Sequence, residues 1–125
     1  MNEFVGTQWF KCDFHLHTPQ SRCFKNQEIT PEEWIKAAKD KKLDCVAVTD
    51  HNAAGWINRI KEVAEKNKIT VFPGVELTAG DAKIHLIVLF DPLKDQLYVE
   101  DFLIKAGIKK RRLWKPNRSI RKINF

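Results

Sequence analysis

Residues 44–52, DCVAVTDHN, decide the fold class of this chain. An apolar run over 44–49 is followed directly by the polar side chains of Asp50, His51 and Asn52. A short run without alternating polar residues is typical of a strand that is buried on both faces of a parallel sheet. The flanking sequence should therefore supply helices that cover this sheet, and the chain is predicted to be an α/β protein.

Toward the N-terminus, residues 10–16, FKCDFHL, are predicted to form a strand. Alternate side chains of a strand share a face, so His15 and His17 are expected to point the same way, as a chelating pair does. Between the two strands, the sequence TPEE at 30–33 predicts a helix start, with threonine at the N-cap, proline first and the second glutamate completing a capping box. This helix is expected to end near Lys42.

Toward the C-terminus, the sequence predicts two more helices and two more strands. The helices are expected at 54–67 and 97–106, and the strands at 70–77 and 84–90. Turn residues at 78–82 indicate that the last two strands are joined directly, and Gly107 is expected to end the last helix. The order β-α-β-α-β-β-α favours parallel βα units.

Length and charge suggest one small domain, or part of a larger one, with a basic tail. The 125 residues are few for a closed α/β barrel. The net charge is +6, but residues 1–101 carry thirteen basic and sixteen acidic residues, whereas 102–125 carry nine basic and none acidic. We divide the chain into a domain at 1–107 and a tail at 108–125. The tail is predicted to be a solvated helix end or a segment separated from a covering domain, with nucleic-acid contact as the alternative.

The lack of a recognisable targeting signal and the cysteine usage favour a cytoplasmic protein. The N-terminal sequence MNEFVGTQWFKCDF has neither the basic nor the apolar region of a signal peptide, and no apolar stretch is long enough to cross a membrane. Cys12, Cys23 and Cys45 show no CxxC spacing and cannot all pair, which favours reduced thiols.

All four histidines fall within or just after predicted strands and near carboxylates. They are His15, His17, His51 and His85, and Glu76 lies in a strand between the last two. Imidazole nitrogen and carboxylate oxygen suit zinc, manganese or iron, so this arrangement favours a metal site over hydrogen-bonded core histidines. His85 comes early in its strand rather than at the carboxyl end, and a boundary shift of about two to four residues would remove this discrepancy.

The strings DFHLHT, TDHN, GVELT and KIHL, in this order, resemble the first motifs of the PHP (polymerase and histidinol phosphatase) family. The resemblance covers about residues 10–92. It implies that the chain forms the N-terminal part of a distorted (β/α)7 TIM-like barrel. It also implies a site of two or three divalent metal ions that hydrolyses phosphoester bonds.

The resemblance assigns roles to individual residues. It implies that His15 and His17 bind a first metal, that Glu76 bridges the first and second, that His85 binds the second, and that His51 binds a third. Glu76 and Asp50 become the candidate catalytic residues. Asp50 and Asp13 are expected to orient imidazoles, with capping of a helix or turn as an equal alternative. Cys23 stands where the family usually has a further Asp or His ligand, so it is either a zinc-binding thiolate or a buried thiol.

Cys23 and the absence of later ligand motifs depart from the family pattern and leave the function open among three interpretations. No histidine follows His85, so the family's later ligand motifs have no counterpart. We therefore expect a metal-dependent phosphoesterase whose site is incomplete in this chain, or else a degenerate PHP module with a structural or interaction role. Metal storage or sensing by the partial site is a third interpretation.

The substrate and the partners also follow from the resemblance. A phosphorylated small molecule and a nucleic-acid phosphodiester both remain open as substrates. The segments VLFDP and LYVEDFLIKAGI are similar to those of PHP domains fused to ATPase modules, which suggests a fused or partner ATPase. No GxxxxGK[ST] phosphate loop is present in this chain itself.

Overall fold

The computed structural model describes residues 6–78 and 83–108, in which three helices share one hydrophobic core with a four-stranded sheet. The predicted order of elements is confirmed. The strands are β1 (Cys12–Leu16), β2 (Cys45–Val48), β3 (Thr70–Thr78) and β4 (His85–Leu89), and the helices are α1 (Pro31–Asp40), α2 (Ile57–Lys66) and α3 (Gln96–Lys105).

The sheet has the strand order β1-β2-β3-β4, and its direction changes once. β1, β2 and β3 are parallel, as predicted, whereas β4 is antiparallel to β3. A parallel neighbour needs a long crossover connection, and too few residues separate β3 from β4 to form one. Residues 79–82, predicted as a turn, lie outside the described part of the chain.

The helix termini follow the signals in the sequence. The Thr30 side chain accepts a hydrogen bond from the Glu33 amide, and the Glu33 carboxylate accepts one from the Thr30 amide, which confirms the predicted capping box. Helix α3 ends before Gly107, whose φ of 97° is in the left-handed region. The amides of Gly107 and Ile108 donate to the carbonyls of Ile104 and Leu103, so the last turn closes in a Schellman motif.

The core determines which face of the sheet carries the polar residues. Val71, Val75 and Leu77 of β3 belong to the core cluster that the helices complete with Ile35, Ile57, Ile60 and Leu103. Successive side chains of a strand point to opposite faces. Glu76, between Val75 and Leu77, therefore lies on the face of β3 that is turned away from the helices.

The two edge strands of the described sheet are less covered than its centre. Val46 and Val48 of β2 are fully buried, whereas Leu86, Ile87 and Leu89 of β4 are 38–48% exposed. Within residues 6–78 and 83–108, no helix reaches the length and apolar character that a bilayer crossing requires. The division after residue 107 stays a prediction, since 109–125 are not described.

Candidate metal centre

The carboxylate of Glu76 lies at the centre of all four histidines. Its Oε2 is 2.9 Å from His15 Nε2, 3.1 Å from His17 Nε2 and 3.6 Å from His51 Nε2, and its Oε1 is 2.9 Å from His85 Nδ1. The Glu76 side chain is 6% exposed. The structure thus brings the five predicted histidine and glutamate residues into one cluster.

An irregularity in β1 directs His15 toward this cluster. Asp13 pairs with Val46, and Leu16 pairs with Val48, so two residues of β1, Phe14 and His15, oppose the single residue Ala47 of β2. Such a bulge adds a residue and re-aims the side chains that follow it. Phe14 packs edge-on against Phe72 at a centroid distance of 5.1 Å, and the next side chain, His15, reaches Glu76. Simple alternation along the strand did not predict this bulge.

His51 is placed by backbone hydrogen bonds that continue the sheet beyond β2. The Glu76 amide donates to the Asp50 carbonyl at 3.0 Å, and the Asn52 amide donates to the Glu76 carbonyl at 3.1 Å. His51 thus forms a parallel bridge with Glu76. Its ring stacks on that of His17 at 4.6 Å between centroids. The end of β2 and the middle of β3 therefore present their polar side chains together.

His85 reaches the cluster because β4 runs antiparallel to β3. His85 is the first residue of β4 and pairs with Thr78, the last residue of β3. The start of an antiparallel strand lies beside the end of its neighbour, so an early position in β4 is at the carboxyl edge of the parallel strands. The proposed shift of the strand boundary was wrong, since the observed β4 begins at His85 itself.

Asp50 lies next to the cluster but does not face Glu76. It is fully buried, and its carboxylate accepts hydrogen bonds from the Thr18 amide at 2.7 Å, the Thr18 hydroxyl at 2.6 Å and the Ser21 hydroxyl at 2.8 Å. Its Oδ1 is 4.0 Å from His17 Nδ1, too far for a hydrogen bond. Asp13 accepts from the backbone amide of His15 at 3.1 Å, as the turn-capping alternative describes.

The protonation states of the cluster suit a cation. Burial lowers the pKa of His17 and of His51 below 6.5, and the neighbouring imidazoles add to this effect. Burial acts to raise the pKa of Glu76, but the hydrogen bond with His15 and the charges of the surrounding imidazoles outweigh it, so the pKa is lowered. Near pH 7, two imidazoles are thus neutral and the carboxylate is ionised, which are the forms that bind metal ions.

The donor atoms form three overlapping groups in which all ligand atoms lie within 4.8 Å of one another. The groups are His15, His17 and Glu76; His51, Glu76 and His85; and His17, Cys23 and His51. The first two match the nitrogen and oxygen chemistry of zinc or manganese. Cys23 is exposed, so the alternative of a buried thiol is wrong, although some desolvation still raises the pKa of its thiol.

One polar atom of the cluster lacks a partner. His51 Nδ1 is buried and makes no hydrogen bond within the described residues, although buried polar atoms are usually paired. The residues present therefore fit one or more divalent ions in donor type and proximity.

Three residues near the cluster were missed by the sequence analysis. Ser21 and Thr18 hydrogen-bond to Asp50, and Trp34 Nε1 donates to the carbonyl of His17 at 2.9 Å. Only the tertiary structure shows their roles, because hydroxyl residues in a loop and one helical tryptophan carry no distinctive spacing. A cavity of about 570 Å³ adjoins His15 and His17, and Lys25 and Lys41 are among its lining residues.

Comparison with known proteins gives a family match and several similar structures. The sequence profile of the PHP domain family matches residues 13–106. No curated protein matches the chain in sequence.

Three solved structures illustrate the likeness. A protein from Bifidobacterium adolescentis, assigned as a metal-dependent phosphoesterase, has 26% identity and a TM-score of 0.52 over 78% of this chain and 33% of its own. An amidohydrolase from Chromobacterium violaceum has 21% identity and a TM-score of 0.53 over 85% of this chain and 44% of its own.

The third is a two-domain protein from Bacteroides vulgatus that contains a predicted PHP-like metal-dependent phosphoesterase. It has 24% identity and a TM-score of 0.51 over 78% of this chain and 33% of its own. The chain thus spans less than half the length of each of these proteins.

Proposed function

The chain belongs to the PHP domain family, and from this premise we propose that it carries the N-terminal part of a metal-dependent phosphoesterase site. One observation supports the proposal most strongly. A single ionised carboxylate, Glu76, lies within 3.6 Å of imidazoles from β1, the end of β2 and the start of β4. Four imidazole nitrogens around one buried carboxylate are the donor types that a divalent cation prefers.

Each ligand would hold a particular metal ion. His15 and His17 would hold one divalent ion, His85 a second, and Glu76 would contact both. His51 would hold a third ion, with the Cys23 thiol as a further donor. Bound divalent ions lower the pKa of water and offset charge on phosphate oxygens. The protein itself keeps the Glu76 carboxylate ionised and the imidazoles of His17 and His51 neutral.

An anionic substrate agrees with the cavity beside the cluster. Its lining includes Lys25 and Lys41, and among the described residues that line it Asp13 alone is acidic. The charged side chains of Lys25 and Lys41, which line the same cavity as His15 and His17, would attract a phosphate group. Both phosphomonoesters and nucleic-acid phosphodiesters meet this description. An ATPase partner, a cytoplasmic location and a role for the basic tail stay predictions.

We further propose that the site is incomplete in this chain, because the second and third ions would each have fewer protein ligands than the first. Two-metal phosphoryl chemistry needs both ions held close together. The chain alone is therefore expected to hydrolyse phosphoesters poorly. The alternative is a degenerate, non-catalytic PHP module with a structural or interaction role.

Phosphatase assays test this function directly. The 125-residue chain and a longer protein carrying the later ligand motifs would be loaded with manganese or zinc and assayed with p-nitrophenyl phosphate and bis-p-nitrophenyl phosphate. We expect weak turnover by the chain, higher turnover by the longer protein, and loss of both in Glu76→Gln. The substitution Glu62→Gln, an exposed position on α2, is the matched control.

Two results would contradict parts of the proposal. Fast turnover by the 125-residue chain that Glu76→Gln abolishes would refute incompleteness. Full metal occupancy without hydrolysis by either protein would favour the non-catalytic PHP module.

A further inference from the structure

The hydroxyl of Ser21 contacts three groups of the candidate site at once. It donates to Asp50 Oδ1 at 2.8 Å, lies 3.0 Å from the backbone nitrogen of His51, and lies 3.1 Å from Nδ1 of His17. The Ser21 residue is 1% exposed, so water does not compete for these contacts. Ser21 is not part of any of the motifs or donor groups described above.

The hydrogen atoms at Ser21 can be assigned by counting donors. A serine hydroxyl has one hydrogen and two lone pairs. Asp50 Oδ1 already accepts the Thr18 amide at 2.7 Å, so it acts as an acceptor toward Ser21 as well. The single hydrogen of Ser21 therefore points at Asp50. Its lone pairs face the His51 amide, which is always a donor, and His17 Nδ1.

It follows that His17 Nδ1 is the donor in its contact with Ser21. Two lone pairs facing each other at 3.1 Å would repel, and Ser21 has no second hydrogen to offer. A neutral imidazole carries one N–H, so the hydrogen on Nδ1 leaves Nε2 with a free lone pair. That Nε2 atom faces Glu76 Oε2 at 3.1 Å. Two acceptors at this distance need a cation between them.

We propose that Ser21 is a positioning residue which, held by Asp50, keeps the hydrogen of neutral His17 on Nδ1 and so presents Nε2 to a metal ion. The same hydroxyl ties the His51 backbone to the loop after β1, so one side chain connects two of the candidate ligands. Metal binding through Nε2 rests on the proposed function, whereas the tautomer follows from the hydrogen bonds alone.

Nitrogen NMR of the full chain tests the tautomer. The metal-free protein, labelled with ¹⁵N-histidine at pH 8, would be recorded so that Nδ1 and Nε2 of each ring are distinguished by their shifts and couplings, with His17 assigned from His17→Gln. We expect the Nδ1–H tautomer in the wild type and a shift toward Nε2–H in Ser21→Ala. The matched control is Thr18→Val, which removes a different hydroxyl from Asp50, leaves the contact between Ser21 and His17 in place and should keep Nδ1–H.

The outcomes separate the proposal from the function on which it partly rests. An Nε2–H tautomer of His17 in the wild type would overturn the proposal even if Ser21→Ala failed to fold. An unchanged tautomer in folded Ser21→Ala would overturn it too. A switch seen in Ser21→Ala but not in Thr18→Val would support it.

Zinc affinity, measured by competition with a chelating dye, gives the second readout. Loss of a partner that orients a ligand commonly weakens metal binding by about 10- to 100-fold, which we expect for Ser21→Ala and not for Thr18→Val. Equal losses in both variants would indicate general damage around Asp50 and overturn the positioning role. A tautomer switch in a protein that binds no metal in any form would support the role of Ser21 and refute the metal site.

Discussion

The surroundings of Asp50 and of Glu76 differ sharply, although both are buried carboxylates at the same edge of the sheet. Burial raises the pKa of Asp50 to about 6, and the hydrogen bonds from Thr18 and Ser21 offset this only in part. Burial also acts to raise the pKa of Glu76, but the hydrogen bond with His15 and the surrounding imidazoles reverse its effect, and the pKa is lowered.

The difference shows that neighbours, rather than depth, decide what a buried carboxylate does. The oxygens of Asp50 are taken by three donors from neutral groups, so they have little capacity left for a metal ion. Among the described residues, the side chains within 3.6 Å of the Glu76 oxygens are imidazoles, which can be ligands themselves. Glu76 is therefore suited to bind cations, and Asp50 to fix the loop that carries Thr18 and Ser21.

The largest expected effect is loss of metal from Glu76→Gln. The wild-type chain should retain about one zinc or manganese ion, because three protein ligands with water form a normal zinc site. Glu76 belongs to two of the three donor groups, so its neutralisation should reduce the content below about a tenth of an equivalent. Elemental analysis after dialysis measures this, with Glu62→Gln as control. Equal metal content in Glu76→Gln and the wild type would contradict the view that Glu76 binds the metal whereas Asp50 does not.

A smaller loss of metal is expected from Asp50→Asn. Asparagine can still accept from the Thr18 amide and the Ser21 hydroxyl through its carbonyl oxygen, so the imidazoles should remain placed. We expect zinc affinity to fall by about 10-fold and by no more than about 100-fold, as for residues that orient ligands. Competition titration would measure it. A loss as large as that of Glu76→Gln would mean that Asp50 contacts the metal directly.

The pH dependence of folding should separate the two sites further. Because the pKa of Asp50 is about 6 when folded and 3.8 in its ordinary state, the folded protein holds this proton more tightly than the unfolded chain. As the pH rises through 6, ionisation of Asp50 therefore lowers the free energy of unfolding. The loss is at most ~3 kcal/mol once ionisation is complete. Asp50→Asn lacks this cost.

Urea unfolding of the metal-free proteins tests this sign. The stability of Asp50→Asn relative to the wild type should improve by ~1 kcal/mol between pH 5 and pH 8. Histidine titration affects both proteins and largely cancels in the difference. A relative stability that does not change with pH would show that the pKa of Asp50 is not raised.

The smallest effect is expected from Cys23→Ser. Cys23 is exposed and belongs to one donor group, so the overall affinity should fall by less than about 10-fold. Cobalt(II) reports the contact itself, since a thiolate ligand gives a near-ultraviolet charge-transfer band. We expect the band in the wild type and in Cys12→Ser, whose thiol lies at the start of β1, but not in Cys23→Ser. Absence of the band in the wild type would show that Cys23 does not bind the metal ion.

The amino-acid sequence by itself determined the order of the elements and the composition of the cluster. The apolar run of β2, the capping box at Thr30 and the glycine after α3 are local signals, and the structure confirms each of them. The residue types of the cluster could also be predicted, because histidines and carboxylates together supply the nitrogen and oxygen donors that divalent metal ions prefer. These features depend on near neighbours in the chain, which a sequence displays.

Only the tertiary structure decided how the cluster is assembled. The direction of β4 brings His85 to Glu76, the bulge in β1 turns His15 inward, and Ser21 joins Asp50 to the His17 imidazole and the His51 backbone amide. Each of these facts depends on the pairing of segments that are distant along the chain. Strand direction, register and the three partners of one buried hydroxyl are settled by backbone pairing and burial in the folded protein, and local sequence patterns do not encode them.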